Sequence, residues 1–266
     1  MPTKDSLQPT EKSTSISNSS NEYKGESRMN TSRKIAIIVG ALYLTVNVIA
    51  GPLGIALTES TLSAPDYLVQ VSANETQMLI GALLVLVMAV ADAGIGIVVY
   101  PVLKKRNASI AIGYFGARIV ESLIFVISAI SLLLLLTLSH EFVQAGAPDA
   151  SHFQTLGELL LAARDWAGHV VLDVAVFPLG ALFFYYVLYQ SKLVPRWLSG
   201  WGLVGAILYW AASLLVMFSL ITPLSTIHIV LQAPLGLQEI ALAVWLIVKG
   251  FNPSAIASVS AKTAIN

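Results

Sequence analysis

Long apolar stretches separated by short polar segments dominate the chain from residue 34 onward. Each stretch reaches the roughly 20 residues that a helix needs to cross a bilayer. The pattern therefore predicts an all-α integral membrane bundle of six transmembrane spans. The predicted spans cover residues 34–57, 77–103, 108–138, 158–189, 197–221 and 225–248.

Polar segments flank and connect these spans. Residues 1–32 are rich in Ser, Thr, Asn, Lys and Glu, and such a segment buries too little apolar surface to order itself, so we predict a disordered cytoplasmic tail. The six-span domain is predicted over 33–250, followed by a short cytoplasmic tail over 251–266. Residues 58–76 and 139–157 are predicted to be polar outer loops.

Prolines and glycines within the apolar stretches predict local features of the helices. Gly51-Pro52 predicts a bend near the outer end of the first span, and Pro178 predicts a kink in the fourth. Small residues allow membrane helices to approach closely. We therefore expect contact between the second and third spans at four glycines, Gly94, Gly96, Gly113 and Gly116.

Composition supports the membrane assignment. The chain is 56% hydrophobic and 11% charged, whereas soluble domains carry about 25% charged residues. The absence of cysteine excludes disulfides and thiolate metal sites. A net charge of zero gives no support for a nucleic-acid partner. The apolar composition instead predicts that a lipid bilayer surrounds the protein. We predict no cofactor and no metal site.

The basic residues collect on one side of the predicted bundle. Thirteen of the 15 Lys and Arg residues fall in the tails, in the turns at 104–106 and 192–196, or at the span ends beside them (Arg33, Lys34 and Lys249), and the exceptions are Arg118 and Arg164. The positive-inside rule therefore predicts that both termini are cytoplasmic. Aromatic residues beside the second turn are predicted to form an interfacial belt: Tyr185, Tyr186, Tyr189, Trp197 and Trp201.

Four ionisable residues are predicted to lie deep in the membrane. Asp92 and Arg118 each lie twelve positions from the turn at 104–106, which is roughly 18 Å along a helix. Glu121 shares a helix face with Arg118, and Glu239 lies ten positions before Lys249. One interpretation is a proton or cation site with Arg118 as its anchor. The other is an interhelical polar lock that fixes packing.

The fourth span carries a second polar set in its outer half. Asp165, His169 and Asp173 recur at a spacing of four, which places them on one stripe of an α-helix. Such a stripe could relay protons, or bind a divalent metal together with His228. The alternative is a polar cap that is hydrogen-bonded to loops. We favour the polar cap, because two histidines are a weak signal for a metal site.

Three separated motifs carry a family resemblance. The segments YPVLKKRN at 100–107, ARIVES at 117–122 and SKLVPRWLSGWGLVGAILY at 191–209 resemble the bacterial membrane family called domain of unknown function 4386. The resemblance covers residues 34–249 and implies a multi-pass inner-membrane protein. It implies no particular chemistry.

Two functions are compatible with these features. The first is a non-catalytic membrane module with a buried charge network, which would assemble with a membrane protein partner or with further copies of itself. The alternative is a small proton-coupled transporter or permease-like protein that moves a small solute by means of its mid-membrane carboxylates. No catalytic set is recognisable, so we do not expect an enzyme.

Overall fold

The protein is a bundle of six long helices, with no strand among the residues that the structure describes. The computed structural model describes residues 31–146, 150–223 and 225–257. Its helices that are long and apolar enough to cross a membrane are Thr31–Leu62, Glu75–Lys104, Ala108–Ala145, Ser151–Ser191, Arg196–Met217 and Thr226–Val248. We refer to them as the first to sixth spans. The predicted all-α bundle of six spans is confirmed.

The helices extend beyond the predicted membrane boundaries. The first span continues to Leu62, a short helix follows at Tyr67–Ala73, and the third span continues to Ala145. The predicted loops at 58–76 and 139–157 are therefore largely helical, and that prediction was wrong. A 38-residue helix is about 57 Å long, which exceeds a hydrocarbon core of roughly 30 Å. Polar residues in these segments therefore do not end the helices.

A small apolar core lies at the end of the bundle formed by these extensions, which we call the outer end. Leu68 and Val71 of the short helix are buried together with Met78 of the second span and Leu132 of the third. The Tyr67 hydroxyl donates to a backbone carbonyl of the fourth span at 3.2 Å. The short helix therefore contacts the second, third and fourth spans at the outer end.

The opposite end, which we call the basic end, holds the turns at 105–107 and 192–195. Arg33 donates from Nη1 to the Leu246 carbonyl at 3.1 Å and from Nη2 to the Ile247 carbonyl at 2.6 Å. It thereby helps to cap the end of the sixth span, where the backbone N–H of Gly250 also donates to the Leu246 carbonyl. Phe251 and Ala255 are buried in the main core, so the segment after the sixth span begins by packing against the bundle.

Two spans contain π-helical segments that end two residues before a proline. These segments are Thr45–Ala50 in the first span and Trp166–Val176 in the fourth. Backbone N–H groups bond five residues back, from Gly51 to Val46 and from Phe177 to Leu172. The wider turn accommodates Pro52 and Pro178, which lack the N–H of a regular helix. The bend at Gly51-Pro52 and the kink at Pro178 stay predictions, and each coincides with the end of a π-helical segment.

The predicted tails lie mostly outside the described residues. Of residues 1–32, only Thr31 and Ser32 are described, and they begin the first span. Of residues 251–266, the structure describes 251–257. Asp149, in the predicted second loop, also lies outside the described residues.

Candidate functional site

Arg118 is the centre of a buried hydrogen-bonded cluster. Its Nη1 donates to Asp92 Oδ1 at 2.7 Å and to Glu121 Oε2 at 3.0 Å. Its Nε donates to the Tyr114 hydroxyl and its Nη2 to the Tyr43 hydroxyl, both at 3.0 Å. The three nitrogens of the guanidinium therefore all have partners, and these come from the first, second and third spans.

Aromatic rings surround the same guanidinium. Its carbon lies 5.4 Å from the centre of the Tyr43 ring, 5.5 Å from Tyr114 and 5.9 Å from Phe177. Such contacts stabilise a desolvated cation by up to about 2 kcal/mol. Phe184 stacks on Tyr114 with ring centres 4.8 Å apart. The cation is therefore held both by hydrogen bonds and by π-systems.

Helix geometry and one glycine create this arrangement. Tyr114, Arg118 and Glu121 follow a spacing of four and three residues, which places them on one face of the third span. On the second span, a Cβ at Gly96 would lie 2.9 Å from the Arg118 Cβ. The missing side chain lets the two helices approach, so that Asp92 reaches the guanidinium.

Glu239 approaches the cluster from the sixth span without an ion pair among the described residues. Its side chain is 5% exposed, and Asn47 and Tyr185 face its carboxyl. Glu239 Oε1 and the Tyr185 hydroxyl make no hydrogen bond with a described residue, and neither does Asp92 Oδ2. Among the described residues, Arg118 is the one arginine or lysine that is buried. Carboxyl groups therefore outnumber cations at this depth.

A second polar cluster lies nearer the outer end. Asp173 is buried and accepts a hydrogen bond from the Tyr209 hydroxyl at 2.8 Å. His169 Nδ1 lies 3.8 Å from Asp173 Oδ2, and the ring of His169 contacts that of His228 at a centre distance of 6.5 Å. The His169 side chain is 35% exposed. This cluster is therefore partly accessible, unlike the one around Arg118.

Asp165 does not contact the other two members of the predicted stripe. Its side chain is exposed and pairs with Arg164 at 3.3 Å, and Arg164 also lies 3.6 Å from Glu59 of the first span. The stripe assumed α-helical spacing, but residues 166–176 form a π-helix with more residues in each turn. Within the described residues, no three His, Asp or Glu side chains form a group that could hold a metal ion.

The two clusters meet at an aromatic contact. The rings of Phe177 and Tyr209 lie 4.8 Å apart, and Phe177 also covers the Arg118 guanidinium. Tyr209 in turn bonds Asp173. Both π-helical segments contribute polar side chains here, Asn47 from the first and Asp173 from the second, and such segments are frequent at functional sites.

Several residues of the site were missed by the sequence analysis. Tyr185 was assigned to the interfacial belt, but it is fully buried beside Glu239, so that assignment was wrong. Tyr186, Tyr189, Trp197 and Trp201 are exposed, as a belt requires. Tyr43, Tyr114 and Tyr209 were not singled out. The signal for Tyr114 was its spacing of four from Arg118.

The chain belongs to a family described as Domain of unknown function (DUF4386), which matches residues 38–250. The suspected resemblance is thereby confirmed, and a multi-pass membrane protein is consistent with both the family and the six spans. Comparisons with curated proteins and with solved structures found no match.

Proposed function

We propose that this protein is a small proton-coupled transporter of the inner membrane, with no catalytic role. The observation that supports this proposal is the excess of buried carboxyl groups over buried cations. Asp92 and Glu121 share one Arg118 nitrogen, and Glu239 has no ion pair among the described residues. A carboxylate without compensation is costly at low dielectric. Such a site favours binding of a proton.

A route for the proton is supported by the outer cluster. The partly exposed His169 lies next to the buried Asp173, which contacts Tyr209. Histidine exchanges protons near neutral pH, so it is suited to pass a proton from the outer surface to a buried carboxyl. In this proposal the proton reaches Glu239 through these side chains and leaves toward the basic end.

A non-catalytic packing module is the second candidate, and the saturation of Arg118 favours it. Five hydrogen-bonding side chains, counting Arg118 itself, join three helices. Such a network can hold the helices together without transporting a proton or a solute. Buried polar groups of this kind can specify one packing arrangement. In that role the protein would assemble with a membrane protein partner or with its own copies, and its carboxyls would not exchange protons.

We further propose that both termini are cytoplasmic. The polar tails, the loops at the basic end and the span ends beside them carry 13 of the 15 Lys and Arg residues of the sequence, which is the distribution that the positive-inside rule describes. Single cysteines at the exposed positions Asp66 and Lys105 test this in a chain that has no native cysteine. An impermeant thiol reagent should label Asp66→Cys in intact cells and Lys105→Cys only after permeabilisation. The reverse pattern would overturn the orientation.

Proton flux in vesicles separates the two candidate functions. Purified protein is reconstituted into vesicles with an internal pH dye, and a pH gradient is imposed with and without a library of small solutes. We expect protein-dependent proton movement that Glu239→Gln abolishes, because an amide keeps the shape of the carboxyl but cannot ionise. Glu141→Gln is the matched control, since Glu141 is exposed at the outer end.

The outcome of this experiment is decisive when folding is monitored in parallel. A folded Glu239→Gln variant without flux supports the transporter. If wild-type protein moves no protons with any solute, or if Glu239→Gln moves them at the wild-type rate, the carboxyl excess has no transport role. The packing module would then be the better account.

A further inference from the structure

A cavity of about 540 Å³ opens at the basic end of the bundle, away from the charge clusters. It lies between the turn that joins the fourth and fifth spans and the segment that follows the sixth. Three basic side chains line it, Lys192, Arg196 and Lys249, and its walls include Trp245 and Phe251. The volume is within the range of small-molecule sites, which is roughly 300–1,000 Å³.

The cavity walls are fixed by contacts between its two segments. The backbone N–H of Asn252 donates to the Leu193 carbonyl at 2.8 Å, and the Asn252 side-chain amide donates to the Lys192 carbonyl at 3.3 Å. Leu193, Val194 and Phe251 are buried in the main core. The basic residues are therefore presented by an ordered frame.

The three cations have no anionic partner in the described part of the chain. No carboxylate lies within 4 Å of Lys192, Arg196 or Lys249 there. Arg196 instead stacks over the Tyr189 ring at 5.2 Å. It is also the first residue of the fifth span, whose start has no side-chain cap. A helix start favours an anion, so the charge of this cavity is complementary to a phosphate.

The backbone at Lys192 has an unusual conformation. Lys192 ends the fourth span with a φ of 54°, in the left-handed region that favours glycine. A lysine in this position is strained relative to glycine. Glycine would therefore suit this backbone better than the lysine that lines the cavity.

The position of the cavity along the bundle indicates where a bound phosphate would come from. Trp197, exposed to the surroundings, contacts the cavity residue Trp245 with ring centres 6.5 Å apart. Tyr186 and Tyr189 are exposed at the same end. Exposed tryptophan and tyrosine side chains mark the headgroup level of a bilayer, where basic pockets between helices bind anionic lipid headgroups.

We infer that this cavity binds the headgroup phosphate of an anionic phospholipid from the surrounding leaflet. Lys192, Arg196 and Lys249 contact the phosphate, while Trp245 and Phe251 face the glycerol region. The site differs from diffuse attraction to a charged surface, because one lipid occupies one cavity.

Native mass spectrometry of the full chain in detergent tests this inference. The probes are phosphatidylglycerol and phosphatidylcholine with identical acyl chains. We expect one phosphatidylglycerol retained per protein, and a loss of about tenfold or more in its affinity when Lys192, Arg196 and Lys249 are all changed to Gln. The matched control changes three exposed basic residues of the same end, Lys34, Lys104 and Lys105, and should retain affinity within about twofold.

A single substitution keeps the test valid if the triple variant does not fold. Lys192→Gly suits the backbone at φ 54°, so it should preserve or raise the melting temperature while weakening phosphatidylglycerol binding. Opposite directions for stability and binding are not expected of a purely structural lysine. Unchanged lipid affinity in a folded Lys192→Gly variant would contradict the role of this lysine in the cavity.

Soluble phosphate compounds distinguish the two sources of the ligand. Glycerol 3-phosphate in millimolar excess should not displace phosphatidylglycerol. Displacement, together with equal binding in lipid-free protein, would assign the cavity to a soluble anion and overturn the inference. Equal losses in the cavity variant and in the control variant would also overturn it, because they would indicate diffuse charge attraction.

Discussion

The cluster around Arg118 and the cluster around His169 differ in how firmly their polar groups are held. Arg118 has four hydrogen-bond partners at 2.7–3.0 Å and is 4% exposed. His169 lies 3.8 Å from its one carboxylate partner and has a side chain that is 35% exposed. The first cluster is built on regular α-helix, and the second on a π-helical segment.

This difference suits the two clusters to different roles, one to hold a fixed charge and the other to exchange a proton. A guanidinium with several short contacts cannot move without breaking them together, so it is suited to fix helices and to set the local field. A histidine at the edge of the bundle can turn toward solvent or toward Asp173. We therefore assign the positioning role to the Arg118 cluster and the exchange role, as a proposal, to the His169 cluster.

Removal of Arg118 should have the largest effect on stability. Arg118→Ala leaves Asp92 and Glu121 buried without their cation, and truncation of a buried ion pair costs about 3–5 kcal/mol. Because two carboxyls share the guanidinium, replacing Arg118 and Glu121 by Leu should restore stability only in part. Replacing Asp92 by Leu as well should restore more of the lost stability. Thermal unfolding in detergent measures each step, and an Arg118→Ala variant as stable as wild type would refute the pairing.

Gly96→Ala should have an intermediate effect. Its new Cβ would lie 2.9 Å from the Arg118 Cβ, and overpacking costs typically about 1–3 kcal/mol. Gly116→Ala is the matched control on the third span, because a Cβ there meets nothing within 4 Å. It should be neutral or slightly stabilising, since alanine is the better helix former. Equal melting temperatures for the two variants would disprove the close approach at Gly96.

Tyr209→Phe should have a smaller effect, confined to the outer cluster. It removes the hydrogen bond to Asp173 at 2.8 Å, and a typical hydrogen bond contributes a net of about 0.5–1.5 kcal/mol. The exposed Tyr189 is the control, and Tyr189→Phe should stay within about 0.5 kcal/mol of wild type. A Tyr209→Phe loss as large as that of Arg118→Ala would make the two clusters one structural unit.

His169→Gln should have the smallest effect on stability. Its contact with Asp173 is long at 3.8 Å and its side chain is partly exposed, and even a charged pair of this kind contributes about 0–1 kcal/mol. Under the proposed function, the same variant should slow proton uptake in vesicles although its melting temperature stays close to that of wild type. A large loss of stability without a change in proton uptake would contradict the roles assigned to the two clusters, because His169 would then support the structure and would not exchange protons.

The sequence was sufficient for the fold because the membrane imposes a strong pattern. Apolar length alone predicted six spans, and the depth of Asp92, Arg118, Glu121 and Glu239 followed from the helical rise. Helix ends were predicted less well. Outside the slab, residues such as Glu59 or His140 are compatible with helix as well as with loop, so polarity alone could not locate the ends.

The site was predicted only in part, for two physical reasons. The π-helical segments changed which side chains share a face, and this separated Asp165 from Asp173. Tyrosine also suits both a membrane interface and a buried hydrogen-bonded core, so composition could not distinguish Tyr185 from Tyr186. Of the four glycines expected between the second and third spans, only Gly96 has its nearest contact across that pair, because Gly94 and Gly113 face Leu42 and Phe183.

The infrared spectrum of the carboxyl groups tests the central claim most directly, since that claim is an excess of buried carboxyls over cations. Protonated carboxyl groups have a carbonyl-stretch band that is separate from the bands of carboxylates. At neutral pH, wild-type protein in a detergent without ester groups should show this band, Glu239→Gln should reduce it, and Glu141→Gln should leave it unchanged. If wild type and Glu239→Gln have identical spectra in this region, Glu239 holds no proton and the account is wrong.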